Sequence, residues 1–241
     1  MQLKAPAIVL AARPHGENAV ILRALTEEAG LVAAYVAGGQ GRRLRPVVIP
    51  GNAVEADIRA RSASQLPFGK VELVTSRAPW LGEPLPAAAI LWVTALTAST
   101  LPERNPYPSL YVALGALLDA ICHAPSARGW APALLSYEVL LLRELGYGGA
   151  KPEAGDLSQT IAALRAMAPA LERYLLADRR GDAMAARTRL IERLIPDRQP
   201  AGAGRLDPAL LTEPAAALDA LEPHWDRRIY LASAATLIDV I

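Results

Sequence analysis

The spacing of apolar positions changes once along the chain, near residue 80. Before that point Ala5–Arg13, Asn18–Thr26 and Leu31–Ala37 are short runs rich in Val, Ile and Leu. They are separated by Pro14-His15-Gly16-Glu17 and Glu28-Ala29-Gly30, residues that favour turns because they preset or permit the backbone angles a turn needs. Asn52–Arg61 alternates strictly, with Val54, Ala56 and Ile58 on one face and Glu55, Asp57 and Arg59 on the other. This two-residue period predicts a strand buried on one side. Lys70–Ser76 is a fifth run. Five short strands without a long helical period predict a small closed barrel.

Pro79–Pro86 is rich in proline and predicts a domain boundary. Beyond it the period becomes helical. Leu85–Leu101 is a long Ala/Leu stretch that follows Pro84 and Pro86, which a first helical turn tolerates. In Ser109–His123, residues Leu110, Leu114, Leu117, Leu118 and Ile121 recur every three to four positions. Pro132–Leu145 is apolar nearly all round, as an internal helix must be, and Gly146 ends it. A helical pair is predicted at Leu157–Leu176 and Asp182–Leu194. Its arginines (Arg165, Arg173, Arg179, Arg180, Arg187, Arg189, Arg193) read as solvated faces. The segment after Pro196 is weakly helical. The fold class is therefore α+β: a barrel over 1–78, a helical domain over 84–195, and a linker with an additional segment over 196–241.

Composition narrows the function. The chain has 241 residues and is 52% hydrophobic, enough to bury a core. Cys122 is the single cysteine, so neither a disulfide framework nor a cysteine-based zinc site can form within one chain. The apolar run at the start stops at Arg13-Pro14, and the run Tyr230–Ile241 is too short to span a bilayer. The expectation is a soluble cytoplasmic protein without membrane contact. Net charge is only +1, but residues 1–78 carry ten Lys/Arg against six Asp/Glu, and the remainder fifteen against eighteen. A basic front and an acidic back invite a polyanion to one end.

No enzyme motif supports catalysis. His15, His123 and His224 have no zinc-protease spacing, and the chain holds neither a nucleophile elbow nor a P-loop. Cys122 and His123 are neighbours on a helix, about a third of a turn apart, and cannot readily form a dyad. The stretch Gly38-Gly39-Gln40-Gly41-Arg42-Arg43-Leu44-Arg45-Pro46 is the most informative loop. Glycines let backbone approach a ligand, and three arginines in four positions concentrate positive charge. It reads either as a DNA contact beside the barrel groove or as a mobile tip with solvating charges. The barrel offers few aromatic platforms, Tyr35 and Phe68, and Tyr35 is open to burial. Binding would then lean on phosphate neutralisation, indifferent to sequence and steeply salt-dependent.

Three stretches resemble a known family. The opening A-P-A-I-V-L-A-A-R-P-H-G-E-N-A-V-I-L, followed by T-E-E-x-G-L-V and the R-R-L-R-P loop, resembles the N-terminal OB-fold of the RecO family. Tyr137–Gly148 resembles its central helix and the Leu-Gly-Tyr-Gly turn, and Leu171–Asp182 is similar to its late helices. The resemblance covers residues 1 to about 195. It implies a non-enzymatic recombination mediator without a cofactor. Such a protein binds single- and double-stranded DNA, anneals complementary strands and, with RecR, helps load RecA on DNA coated by single-stranded DNA-binding protein. It also binds that coating protein's acidic C-terminal tail, and it works in the cytoplasm on the nucleoid. By similarity Arg13, Arg42, Arg43 and Arg45 contact DNA, and Arg59 and Arg61 of the same basic domain are assigned with them. Tyr137, Arg143 and Tyr147 are the expected site for the acidic tail. Many members carry a four-cysteine zinc module after the Leu-Gly-Tyr-Gly turn. Gly149–Gln159 has no cysteine, so no metal is expected there. The alternative function is a protein-interaction scaffold whose barrel has little DNA affinity.

Overall fold

The computed structural model describes residues 2–60, 62, 65–148, 152, 155–177 and 182–195. Arg61, Arg179, Arg180 and the segment 196–241 lie outside the described residues. Five strands open the chain: β1 (Gln2–His15), β2 (Ala19–Thr26), β3 (Gly30–Val36), β4 (Ala53–Arg59) and β5 (Phe68–Thr75). They close in the order β1-β2-β3-β5-β4, with β3 and β5 parallel and the other pairs antiparallel. This is the closed barrel that the strand pattern predicts and the OB-fold that the resemblance implies. A circuit of paired residues that leaves β1 at Arg13 passes Ile21, Tyr35, Phe68 and Arg59 and returns to β1 at Gln2. The offset along β1 is the stagger that a tilted, closed barrel requires.

The barrel is filled by small aliphatic side chains: Ala7, Val9, Val20, Leu22, Ala24, Val32, Ala34, Val36, Val54, Ala56, Ile58 and Val71. Their alternation leaves the other face largely to solvent, except on β1 and at the β2–β3 turn, where Leu25 and Leu31 are buried on the outer side. On β1, Ala7 to Ala11 are all buried, because Ile8 and Leu10 point away from the barrel into a second core. A register shift between Val9 and Ala11 follows, after which Arg13 faces outward. Gly30 shows why glycine is needed at the β2–β3 turn. Its φ is +67°, and a Cβ there would lie 1.9 Å from the Asn105 carbonyl oxygen. The segment around Glu103 docks against this end of β3, with the Arg104 N–H donating to the Leu31 oxygen at 2.8 Å.

Among the described residues five α-helices follow: α1 (Pro84–Thr100), α2 (Pro108–His123), α3 (Ala131–Glu144), α4 (Leu157–Tyr174) and α5 (Asp182–Arg193). Proline occupies the first turn of α1, α2 and α3, where its missing N–H has no intrahelical partner to lose. The Asp156 carboxylate accepts from Gln159 N at 2.7 Å and caps α4. Gly146, at φ +85°, ends α3. Its N–H donates to Arg143 O at 3.0 Å and that of Tyr147 to Leu142 O at 2.9 Å, the paired bonds of a Schellman turn.

The helical core includes Ile8, Leu10, Leu25 and Leu31 of the barrel alongside Ile90, Trp92, Leu114 and Leu118. The proline-rich segment therefore marks a change of secondary structure across a shared core. One arginine departs from the solvated-face reading. Arg187 of α5 is 2% exposed and grips the fully buried Glu138 of α3 through Nε (2.9 Å) and a second guanidinium nitrogen (2.5 Å). It also donates to the Leu164 oxygen of α4 at 2.7 Å. Trp92 Nε1 of α1 donates to the same carboxylate at 2.9 Å. Burial of the charge is tolerable because both Glu138 carboxylate oxygens accept hydrogen bonds, from Arg187 and Trp92. Among the described residues no helix is long and apolar enough to cross a membrane, and no group of metal-ligating side chains gathers.

Candidate nucleic-acid interface

The loop between β3 and β4 carries the densest positive charge. Its residues coil rather than extend: Leu44 N and Arg45 N donate to Gly41 O (3.1 and 2.9 Å), and Val47 N and Val48 N to Leu44 O (2.9 and 3.1 Å). This local winding turns Leu44, Val47 and Val48 onto the barrel core and leaves Arg42, Arg43 and Arg45 exposed. Among the described residues no carboxylate lies within ion-pair distance of these three guanidinium groups. Among the described residues nothing offsets their mutual repulsion, which a polyanion would relieve.

The loop is fastened at both ends. Gln40 Nε2 donates to Gly16 O (3.0 Å) and Ala19 O (2.9 Å), which ties it to the β1–β2 turn. Gly39 packs on Val20 so closely that a Cβ would come within 2.4 Å of Val20 Cγ2. At the far end the buried Asn52 donates to Pro46 O (2.9 Å) and Val47 O (3.1 Å) and accepts from Arg77 N (2.8 Å). The buried Arg77 in turn donates to Gly51 O and meets Asp119 of α2 at 2.5 Å. The fastened loop answers the question left open between a DNA contact and a mobile tip only as regards its anchoring. Gln40 and Asn52 gave no sign of this in the sequence, because their partners are backbone carbonyls brought together by the fold.

Strand pairing sets a second group beside the loop. Phe68 lies opposite Tyr35 on one side and Arg59 on the other. The Tyr35 and Phe68 rings meet edge to face at 5.2 Å, and His15 and Tyr35 at 5.9 Å. Tyr35 is half-buried, and Phe68 is 66% exposed. In the sequence His15 reads only as a turn residue without metal spacing, since the β1–β2–β3 register alone reveals its ring neighbour.

Two expected DNA contacts have other partners. Arg59 is exposed but held by Asp57, Nε to Oδ1 at 2.9 Å and a terminal nitrogen to Oδ2 at 2.7 Å. That guanidinium keeps the Asp57 carboxyl below its usual range, helped by Lys70 and Lys4. Arg59, assigned to DNA, is thus a cation already paired with a carboxylate. Arg13 is half-buried on the outer face of β1 and engages within the molecule.

The expected peptide site does not assemble. Tyr137 is 2% exposed, and its hydroxyl shares a 2.6 Å hydrogen bond with Thr97, while burial pushes its phenol well above the ordinary range. The helical period carries it to the inner face of α3, so it cannot meet a docked tail. Arg143 is exposed on that helix, and Tyr147 lies past its end, stacked on Tyr174 at 5.0 Å with Arg173 5.4 Å from the Tyr174 ring.

Comparison with known proteins agrees with this architecture. Residues 1–77 match the family model "Recombination protein O N terminal", and residues 84–149 match "Recombination protein O C terminal". A DNA repair protein RecO from Rhodospirillum centenum is 44% identical over 143 residues, covering 59% of this chain and 56% of the relative. One from Paracoccus denitrificans is 41% identical over 148 residues, covering 61% of this chain and 60% of the relative. One from Phenylobacterium zucineum is 39% identical over 149 residues, with the same coverage of each. The chain thus spans about 60% of the length of the relatives it matches.

Proposed function

Because the chain belongs to the RecO family, we propose that it acts in DNA repair and homologous recombination by holding DNA strands against the cationic edge of its barrel. The observation that carries this reading is the fastened loop with Arg42, Arg43 and Arg45 exposed and without carboxylate partners among the described residues. Guanidinium groups bind phosphate oxygens in a planar fork, and each phosphate neutralised releases a counterion. Such contacts recognise backbone, so both single and double strands can bind, and neutralised strands repel each other less when they anneal. The wider reading follows the family: strand annealing, work with RecR in loading RecA on coated DNA, and a grip on the coating protein's acidic tail. Arg143 and Tyr147 are the remaining exposed residues for that last role. No catalytic step is part of the proposal.

The test is equilibrium binding of the full chain to labelled oligonucleotides of unrelated sequence, with annealing of complementary strands followed alongside. Affinity is expected to be similar across sequences. It should fall by more than roughly tenfold as salt rises from about 50 to about 200 mM. Absence of binding at the lowest salt would overturn the reading. A scaffold role has one observation in its favour, the neutralisation of Arg59 by Asp57. Capture of an acidic-tailed partner without any oligonucleotide shift would select it.

A further inference from the structure

The outer wall of the barrel gathers side chains that are far apart in sequence into one strip. Phe68, Tyr35 and His15 come from β5, β3 and β1, and their rings touch in series at 5.2 and 5.9 Å. Phe68 leaves two-thirds of its surface in water. A large exposed ring does little for the core, and one that continues into two more rings forms a connected aromatic surface. Its surroundings are cationic. Lys70 follows Phe68 on the same face of β5, Lys4, Lys70 and Arg59 lie near the carboxylate of Asp57, and Glu55 and Glu72 pair farther along that face from Phe68. Arg13 stands at the other end of the paired row. The strip also adjoins the arginine loop, because Gln40 binds the carbonyl of Gly16, the residue after His15.

We infer that the His15–Tyr35–Phe68 strip is a base-stacking subsite for unpaired nucleotides. This rests on the DNA-binding reading and deepens it. Every base offers a π-face, so stacking tolerates any sequence, but in a duplex those faces are already covered by neighbouring pairs. The loop arginines serve either kind of strand through phosphates, whereas the rings serve only bases that are free to turn outward. The barrel wall therefore favours single strands over duplex. Lys4 and Lys70 beside the rings, and the exposed Arg42, Arg43 and Arg45 of the adjoining loop, select a polyanion over an apolar protein segment as occupant.

The experiment compares the full-length wild type with Phe68→Ala and Phe68→Trp, each checked for an unchanged circular dichroism spectrum and Tm. Three probes of equal length are used: oligo(dT), the same backbone with abasic sites, and a duplex. Phe68→Ala is expected to weaken oligo(dT) binding about tenfold and to leave duplex and abasic binding unchanged. The salt slope should not move, since no phosphate contact is lost. Phe68→Trp should restore affinity, with indole fluorescence quenched on binding. The wild type should prefer oligo(dT) to the abasic strand by a similar factor. Equal binding of oligo(dT) by wild type and Phe68→Ala would overturn the inference while leaving the phosphate reading intact. So would equal binding of oligo(dT) and the abasic strand by the wild type. Loss of a protein partner by Phe68→Ala with DNA binding unchanged would reassign the strip to a protein contact. A wild type that binds none of the three probes would overturn the DNA-binding reading together with this inference.

Discussion

Asp57 and Arg59 stand two residues apart on the outer face of β4, and their ion pair cancels one of the barrel's positive charges. Strand alternation placed both on one face from the sequence alone, but not their mutual grip, which depends on side-chain torsions. Asp57→Asn should release the guanidinium. Oligonucleotide affinity is expected to rise, and the single-strand salt slope to steepen by about 0.7, the increment for one added phosphate contact. The same release occurs with acid. The Asp57 carboxyl is held below its usual range by Arg59, so the pair survives above the unfolded-state value and is lost as pH falls through the folded one. Binding by the wild type should strengthen in that window, and binding by Asp57→Asn should stay flat. A pH series of fluorescence anisotropy on both proteins checks this.

At the scale of elements, β4 and α2 were legible by their period, and the other described strands and helices mainly as apolar runs punctuated by proline, glycine or polar turns. What the sequence withheld was the cross-strand register, and with it the meeting of His15, Tyr35 and Phe68. Whether the β3–β4 loop is a mobile tip stayed open for a similar reason: its order comes from Gln40 and Asn52 reaching backbone carbonyls. Asn52→Ala would leave two carbonyls and the Arg77 N–H without their partner in a buried place. A loss of about 2–4 kcal/mol in urea unfolding is expected. DNA affinity should fall as well, although no DNA-contacting residue has changed, because Arg45 and Pro46 lose their anchor.

Across the whole molecule, barrel and helices share one core through Ile8, Leu10, Leu25 and Leu31. The sequence hinted at this, since the first three strands are apolar on both faces whereas β4 alternates. The buried Arg187–Glu138 pair was legible in principle too. Arg187 falls in register with Met184, Leu190, Ile191 and Leu194, an apolar stripe that a solvated arginine would not join. The assumption that arginine means surface hid it. Because this pair joins α3, α4 and α5 and also receives Trp92 of α1, its single variants should be costly. Arg187→Met strands a buried carboxylate and should cost about 3–5 kcal/mol. Adding Glu138→Gln, which keeps an acceptor for Trp92, should recover most of that loss. Denaturant melts of the two single variants and the double variant measure the coupling.

The central claim is that exposed guanidinium groups on the fastened loop neutralise phosphates. It is tested most directly by the salt slope of single-strand binding for wild type against Arg42→Ala/Arg43→Ala/Arg45→Ala. A slope shallower by about 2 in the triple variant, with the melting temperature unchanged, is the predicted result. Identical slopes for the two proteins would contradict the account.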